Sequence, residues 1–262
     1  MTRGARLPLD LRLMQWATRG LLLVFVVLVL TGMAGWARGH ARFALHGITL
    51  TGDLTHTNAV TARANVLPRL QGTFFSLDLQ RTRSAFETLP WVRRAVVHRE
   101  FPNRLRVQLE EHKAVAYWGA ESEQRLVNSL GEVFEANAGE VDSDALPRLS
   151  GPLNQSASVL AMLHALQPVL KPLSWQVEAL SLSPQGSWRV ELDNGASIEL
   201  GSGDTAAVLA RLGRLRSTIT SVTARYGRTP QALESADLRH EDGYAIRLRG
   251  VSTAGADVSA HS

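Results

Sequence analysis

The chain has no cysteine, only two lysines against 26 arginines, and eight histidines that never reach a paired spacing. Each shortage excludes something. Without cysteine no disulfide framework can staple a small fold, so every folded domain must stand on its own apolar core. The histidines at 40, 46, 56, 98, 112, 164, 240 and 261 form no HxxxH or HExxH pair, so the helical metal-ligand pattern is missing. A G-x-S-x-G nucleophile elbow is missing too. So is any internal repeat. His98 and His112 read as lone surface histidines.

Concentrated positive charge is also scarce, despite a formal net charge of +4. The first 19 residues carry four arginines and one aspartate, which leaves only +1 for residues 20–262. Within that remainder, 43–112 carries +3 and 113–250 carries −3. A nucleic-acid surface needs a basic footprint the size of a domain. This chain has none, and no nucleic-acid partner is expected.

What is present begins with "GLLLVFVVLVLTGMAGWA", Gly20–Ala37, an uncharged run between Arg19 and Arg38. Its 18 residues of helix cover roughly 27 Å, enough for a thin or untilted bilayer core. A cleaved signal peptide is the alternative. The apolar run exceeds the usual length of about 7–15 residues, however, and no clean A-x-A site follows it. An uncleaved signal anchor is expected. Arg3, Arg6, Arg12 and Arg19 precede the run against Asp10, which keeps the N-terminus cytoplasmic by the positive-inside rule. Trp16 and Trp36 flank it as interfacial aromatics do. Residues 38–262 then lie outside the cytoplasm. The first dozen residues and the tail "STAGADVSAHS" are expected to be disordered.

From Arg42, "RFALHGITLTG" reads as a strand. Thr57 or Asn58 caps a helix with Val60, Ala64 and Leu67 on one face, ended by Pro68. Asp78 caps a second helix with Leu79, Phe86 and Leu89 along one side, ended by Pro90. Ala95 and Val97, then Leu105, Val107 and Leu109, alternate with polar residues around an "EFPN" turn, so Arg94 and Arg106 occupy the wet side of a hairpin. The order β-α-α-β-β in about 70 residues resembles a POTRA domain, here spanning 43–112. The wording is more specific than the topology. "GTFFSLDLQRTRSAFETLPWVRRAVVHREFPNRLRVQLEEHKAVAYW" closely resembles the FtsQ (DivIB) family of bacterial cell-division proteins, with its "LPW" helix end, "V-R-R/K" strand, "W/F-P-D/N-x-L" turn and "E-H/Y-x-P-x-A-x-W" exit. Ala114 stands where that family often has proline, a departure that bears on the hinge to the next domain.

The remainder, 113–250, alternates as strands. "QRLVNSLGEVFEA" is a hairpin around Asn128–Gly131. A helix over about Ser156–Leu170 puts Leu160, Leu163, Leu166 and Leu170 on one face despite Pro168. Asp193-Asn194-Gly195 and Asp242-Gly243 mark tight turns that ask positive φ of their glycines. Asp204 caps a helix with Val208, Leu212, Leu215, Ile219 and Val222 as its buried stripe. "GSGD", Gly201–Asp204, matches the GxGD string of intramembrane aspartyl proteases, but that chemistry needs a membrane-embedded aspartate dyad sharing a proton. The apolar run holds no acid, so the match is rejected. Adjacent acids such as Glu110–Glu111 and Glu241–Asp242 fall at strand ends and turns and read as solvated charge.

The expectation is an α+β protein: a cytoplasmic tail (1–19), one transmembrane helix (20–37), a POTRA domain (43–112), a mixed β-sheet domain with packed helices (113–250) and a tail (251–262). The resemblance implies a non-enzymatic scaffold of the division machinery in the inner membrane, with its bulk periplasmic and its place the division septum. It further implies that the scaffold links early and late division proteins, binds FtsB- and FtsL-like bitopic partners, and helps control septal peptidoglycan synthesis. Neither cofactor nor small-molecule substrate follows from it. In the family the last hairpin contacts FtsB; matched residue by residue, Arg239, Gly243 and Ala245 agree, while His240 replaces a tyrosine and Leu248 a tryptophan. The last strand has no strand after it and offers a free edge for strand addition. The partner-binding segment is therefore expected at Arg239, His240, Glu241, Gly243, Tyr244, Ala245, Ile246, Arg247 and Leu248, with Tyr244 and Leu248 also readable as inward-facing. Two rivals are weaker. A POTRA chaperone module for outer-membrane assembly needs several POTRA repeats or barrel strands, and a peptidoglycan hydrolase needs chemistry that no motif supplies.

Overall fold

A computed structural model describes residues 9–39, 45–141, 146–240 and 243–251. Two compact units divide at Glu111/His112. The tail 252–262 lies outside the described residues, as does the 42–44 start of the expected first strand.

The first unit opens with helix α1, Leu9–Gly39. It begins inside the stretch expected to be disordered, because residues 9–19 contain good helix formers and neither glycine nor proline. Met14–Met33 has a mean hydropathy of 1.9, long and apolar enough by composition to cross a membrane, and its large side chains are exposed. Strand β1 (Gly47–Gly52), helices α2 (Ala59–Val66) and α3 (Leu79–Glu87), and strands β2 (Val92–Glu100) and β3 (Arg104–Glu111) follow. The sheet runs β1-β3-β2, with β1 parallel and β2 antiparallel to the central β3.

Strict alternation along β3 buries Leu105, Val107 and Leu109 and leaves Arg104 and Arg106 in water. Ala95 is buried on β2, with Phe86 of α3 in the same core. Asp78 caps α3 by accepting from the amides of Gln80 and Arg81 at 2.9 and 3.2 Å.

Three expectations here need correction. The first helix buries Ala62 and Val66, while Val60, Ala64 and Leu67 are exposed. Asn58, not Thr57, is its cap, accepting from Val60 N at 2.8 Å, and Arg63 Nε donates to Ile48 O at 3.0 Å. Those anchors set the helix's rotation about its axis, which the apolar spacing alone did not specify.

Second, Glu111 is not solvated. It continues the inward alternation of β3 and is 6% exposed. Its carboxylate accepts from Thr57 N at 2.7 Å and from His56 N at 3.1 Å, and lies 3.3 Å from His56 Nδ1. His56 in turn stacks on Trp91, ring centroids 3.9 Å apart. Burial pushes the Glu111 carboxyl up, but the hydrogen bonds from Thr57 and His56 outweigh it and hold the group below its ordinary value. Third, His112 is half-buried rather than a surface residue: it stacks on Phe134 at 4.1 Å and meets Asn128 Nδ2 at 2.9 Å through Nδ1.

The second unit is a nine-stranded mixed sheet. Its strands are β4 (Ala114–Trp118), β5 (Arg125–Asn128), β6 (Val133–Glu135), β7 (Arg148–Ser150), β8 (Val177–Leu182), β9 (Ser187–Leu192), β10 (Ser197–Ser202), β11 (Leu233–Asp237) and β12 (Ala245–Leu248). The order is β12-β11-β10-β9-β8-β7-β4-β5-β6. Helix α4 (Ser156–Leu170) packs on β7 and β8, and α5 (Thr205–Arg225) on β10. The α4 leucines at 160, 163, 166 and 170 are all buried. Asp204 caps α5, accepting from Ala207 N at 2.8 Å. Toward the end of α5 the stripe departs from expectation: Thr223 is fully buried and Val222 only partly. The Thr223 hydroxyl donates to Ile219 O at 2.9 Å, so it enters the core without an unmet donor. Gly195 takes φ +75 in its turn, as expected, but Gly243 lies outside the positive-φ region; Asp242 is not among the described residues.

Two predictions follow from the first unit's core. Val107→Asp should abolish folding of the POTRA unit, since an unpaired charge in a small core costs several kcal/mol. Replacing Arg93, Arg94, Arg104 and Arg106 together by glutamine should leave it folded, because exposed pairs such as Arg106–Glu100 contribute about 0–1 kcal/mol. Thermal unfolding followed by circular dichroism checks both; equal stability of Val107→Asp and the parent refutes the register. Glu111 gives a third. A carboxyl held below its unfolded value contributes stability above that value, 4.5, and loses it as pH falls through the lower folded one. Acid titration of the POTRA unit should therefore show destabilisation beginning below pH 4.5 that Glu111→Gln flattens, at about 1–3 kcal/mol lower stability at neutral pH.

Candidate partner-binding edge

Among the described residues, strand β12 pairs with β11 alone and ends the sheet. Its register sets Asp237 opposite Ala245, Ala236 opposite Ile246, and Ser235 opposite Arg247. The Arg249 amide donates to Ala232 O at 2.8 Å, toward β11. Backbone donors alternate in direction along an antiparallel strand, so the amides of Arg247 and Ala245 also point to β11, and that of Ile246 points away from the sheet. The outward donors of this strand are therefore at Ile246 and Leu248, and Ile246 is the one in its middle.

Side chains alternate in the same way. Leu248 is 6% exposed and belongs to the core, while Tyr244 and Ile246 pack partly against it. The Tyr244 hydroxyl hydrogen-bonds the Thr218 hydroxyl of α5. Leu248 thus takes the inward-facing alternative, its side chain buried in the core. Ala245 and Arg247 are exposed on the opposite face, and Gly243 and His240 are exposed before them. Glu241 lies outside the described residues.

The outer face of the sheet carries a row of charges that the sequence did not single out. Glu199 on β10 sits beside Asp237 on β11 in a parallel register, two like charges at neighbouring positions. Arg189, opposite Glu199 on β9, pairs with it at 2.5 Å. Arg239 folds back on Asp237, Nη2 to Oδ2 at 2.6 Å and Nε to Oδ1 at 2.9 Å. This hydrogen-bonded guanidinium holds the Asp237 carboxyl down to about 2, so the pair stays charged at any neutral or mildly acid pH. Arg239 also lies over Gly201, where an added Cβ would meet its Cγ at 3.2 Å. Arg247 sits farther from its acid, Glu234, at 3.7 Å. Arg239 and Arg247 therefore differ: the first is committed to Asp237, the second is loosely held beside the free edge. Outward alternation on β9–β11 was the available signal for this row, but the pairing of strands distant in sequence was needed to assemble it.

The FtsQ-type POTRA domain model matches residues 43–112, and the Cell division protein FtsQ/DivIB, C-terminal model matches 116–239. The second match stops at Arg239, before the β12 edge. A cell division protein FtsQ of Thiomonas arsenitoxydans is 39% identical over 251 residues, covering 95% of this chain and 91% of its own. One from Burkholderia pseudomallei is 41% identical over 230 residues, covering 87% and 89%. One from Bordetella pertussis is 33% identical over 244 residues, covering 86% and 87%.

The two faces of β12 give opposite expectations for truncation. Leu248→Ala should cost roughly 2–5 kcal/mol of stability in the second unit, as for other buried leucines. Arg247→Ala should stay within about 0.5 kcal/mol of the parent, as exposed sites usually do. Denaturant unfolding of each variant checks the assignment, and a reversal of the two would invert the strand's faces.

Proposed function

The chain belongs to the FtsQ/DivIB family of cell-division proteins, and on that premise we propose that it is a single-span scaffold of the division machinery whose β12 edge receives an extended segment of an FtsB-like bitopic partner. The observation that carries this reading is the open edge itself. A strand with one neighbour presents unpaired backbone groups, and an added strand satisfies them while its alternate side chains choose the partner.

The chemistry of the edge narrows what fits. An added strand runs beside Ala245 and Arg247 on the outer face. Ala245 leaves room for a large side chain, and Arg247, loosely held by Glu234, favours an acid opposite it. Arg239 serves the edge from behind by neutralising Asp237 at the end of β11. His240, Glu241, Gly243 and Tyr244 complete the proposed docking segment; Leu248 supports it from the core. An FtsL-like bitopic protein is the other partner in this reading. Through these contacts the scaffold links early and late division proteins and helps control septal peptidoglycan synthesis.

Membrane placement is part of the same proposal. Four arginines before the span keep the N-terminus in the cytoplasm. Both folded units are then periplasmic, and the protein gathers at the septum.

Proline at single positions tests the edge. Ile246→Pro deletes the outward donor in mid-strand and should weaken binding while the domain stays folded, since a sheet edge tolerates proline there. Arg247→Pro deletes a donor to β11 and should destabilise the domain itself. Calorimetry of the detergent-solubilised full chain against the partner's periplasmic segment reads the first effect, and circular dichroism reads the second. Unchanged affinity for folded Ile246→Pro would move the site off this edge.

A further inference from the structure

We propose that the tip of the POTRA hairpin is a second, peripheral membrane contact, in which Phe101 and Phe75 enter the interfacial layer of the bilayer and neighbouring arginines meet anionic phospholipid headgroups. The inference rests on the single-span placement of α1. Phe101 is 77% exposed at the β2–β3 turn and Phe75 is 48% exposed in the loop before α3. Both lie against the buried Phe74, with ring centroids at 6.4 and 5.2 Å, so the two exposed rings share one patch. The loop is fastened there: Arg99 of β2 donates to Phe74 O at 2.8 Å and to Leu77 O at 2.7 Å. A pair of large exposed aromatics held by a built scaffold is unusual on a soluble surface and marks an interaction site.

The position of the patch in the fold says which partner it meets. β1 runs parallel to β3, with Gly47 opposite Arg104, and His46 N donates to Asn103 O at 3.0 Å. The chain therefore enters the domain beside the hairpin tip. Residues 40–46 are all that separate the end of α1 at Gly39 from Gly47, and a fully extended chain over that interval covers at most roughly 29 Å. The end of the domain that carries Phe101 is the end tethered to the bilayer.

Its charge fits. Arg104 and Arg106 flank the tip against one acid, Glu100, which pairs with Arg106, while Arg99 is committed to the loop carbonyls. Aromatic rings at headgroup depth and basic side chains toward anionic lipid are what an interfacial contact requires. The two contacts together would fix the domain's orientation where a flexible tether alone leaves it free to turn.

The absence of native cysteine allows a direct test by site-directed spin labelling of the full chain in vesicles of phosphatidylethanolamine and phosphatidylglycerol. Labels are placed singly by Asn103→Cys at the tip, Asp53→Cys at the opposite end of the domain, and Leu28→Cys in the span. Collision rates with oxygen, which partitions into lipid, and with a water-soluble nickel chelate report depth. The expected result is lipid-like access at 28, interfacial access at 103 and aqueous access at 53. Adding Phe75→Ser and Phe101→Ser should return the label at 103 to aqueous access while the spectrum at 53 stays unchanged. Aqueous access at 103 in the otherwise unaltered protein overturns the proposal. So does a label at 103 shielded from both oxygen and nickel, which would assign the patch to a protein contact. Aqueous access at 28 would instead bring down the single-span placement itself.

Discussion

Among the described residues each sheet has two α-helices packed on it, so each can bury one face and must make the other acceptable to water. That constraint accounts for much of what the sequence contains. On β3 it yields Leu105, Val107 and Leu109 inside and Arg104, Arg106 and Gln108 outside. On β9 it yields Trp188, Val190 and Leu192 inside and Arg189 and Glu191 outside. Arginines on these strands, Arg93, Arg106 and Arg189 among them, pair in place with glutamates. With no disulfide available, two separate apolar cores carry the folding free energy.

The elements governed by local physics were legible from sequence. Period-two alternation placed the β2–β3 hairpin, and the aspartates at 78 and 204 marked helix starts because a carboxylate satisfies first-turn amides. The α4 leucine face was visible for the same kind of reason, its spacing matching the helical repeat. What stayed hidden depends on partners distant in sequence. Nothing near Glu111 announces that His56 and Thr57 will hold it inside the core. The exposed face of α2 was misassigned because an eight-residue helix with apolar residues all round carries almost no phase information. The three-residue β7 was too short to give a pattern at all.

The candidate edge shows the same division. The sheet order places the last described strand at one end. Which of its residues face out was not readable from sequence, since Tyr244 and Leu248 alternate with Ala245 and Arg247 and either set could have been buried. Leu248 in the core and Thr218 bonded to Tyr244 settle the faces. The charge row from Arg189 through Glu199 to Asp237 and Arg239 joins three strands that only the sheet order makes neighbours.

The parallel pairing of β1 with β3 has a mechanical consequence. The chain enters β1 at Gly47, beside Arg104, and leaves β3 at Glu111, beyond Leu109, which lies opposite Gly52. Entry and exit are therefore at opposite ends of one hydrogen-bonded strand pair. Tension between a fixed N-terminal side and a load on the C-terminal side would pull β1 and β3 past one another along their length. All the ladder bonds between Gly47 and Gly52 would then bear the load in shear together, rather than opening one at a time like a zip. The Glu111 carboxylate, bound to the backbone just after β1, adds a cross-link in the same direction. A domain wired this way behaves as a stiff tie when tension is applied between its entry and its exit.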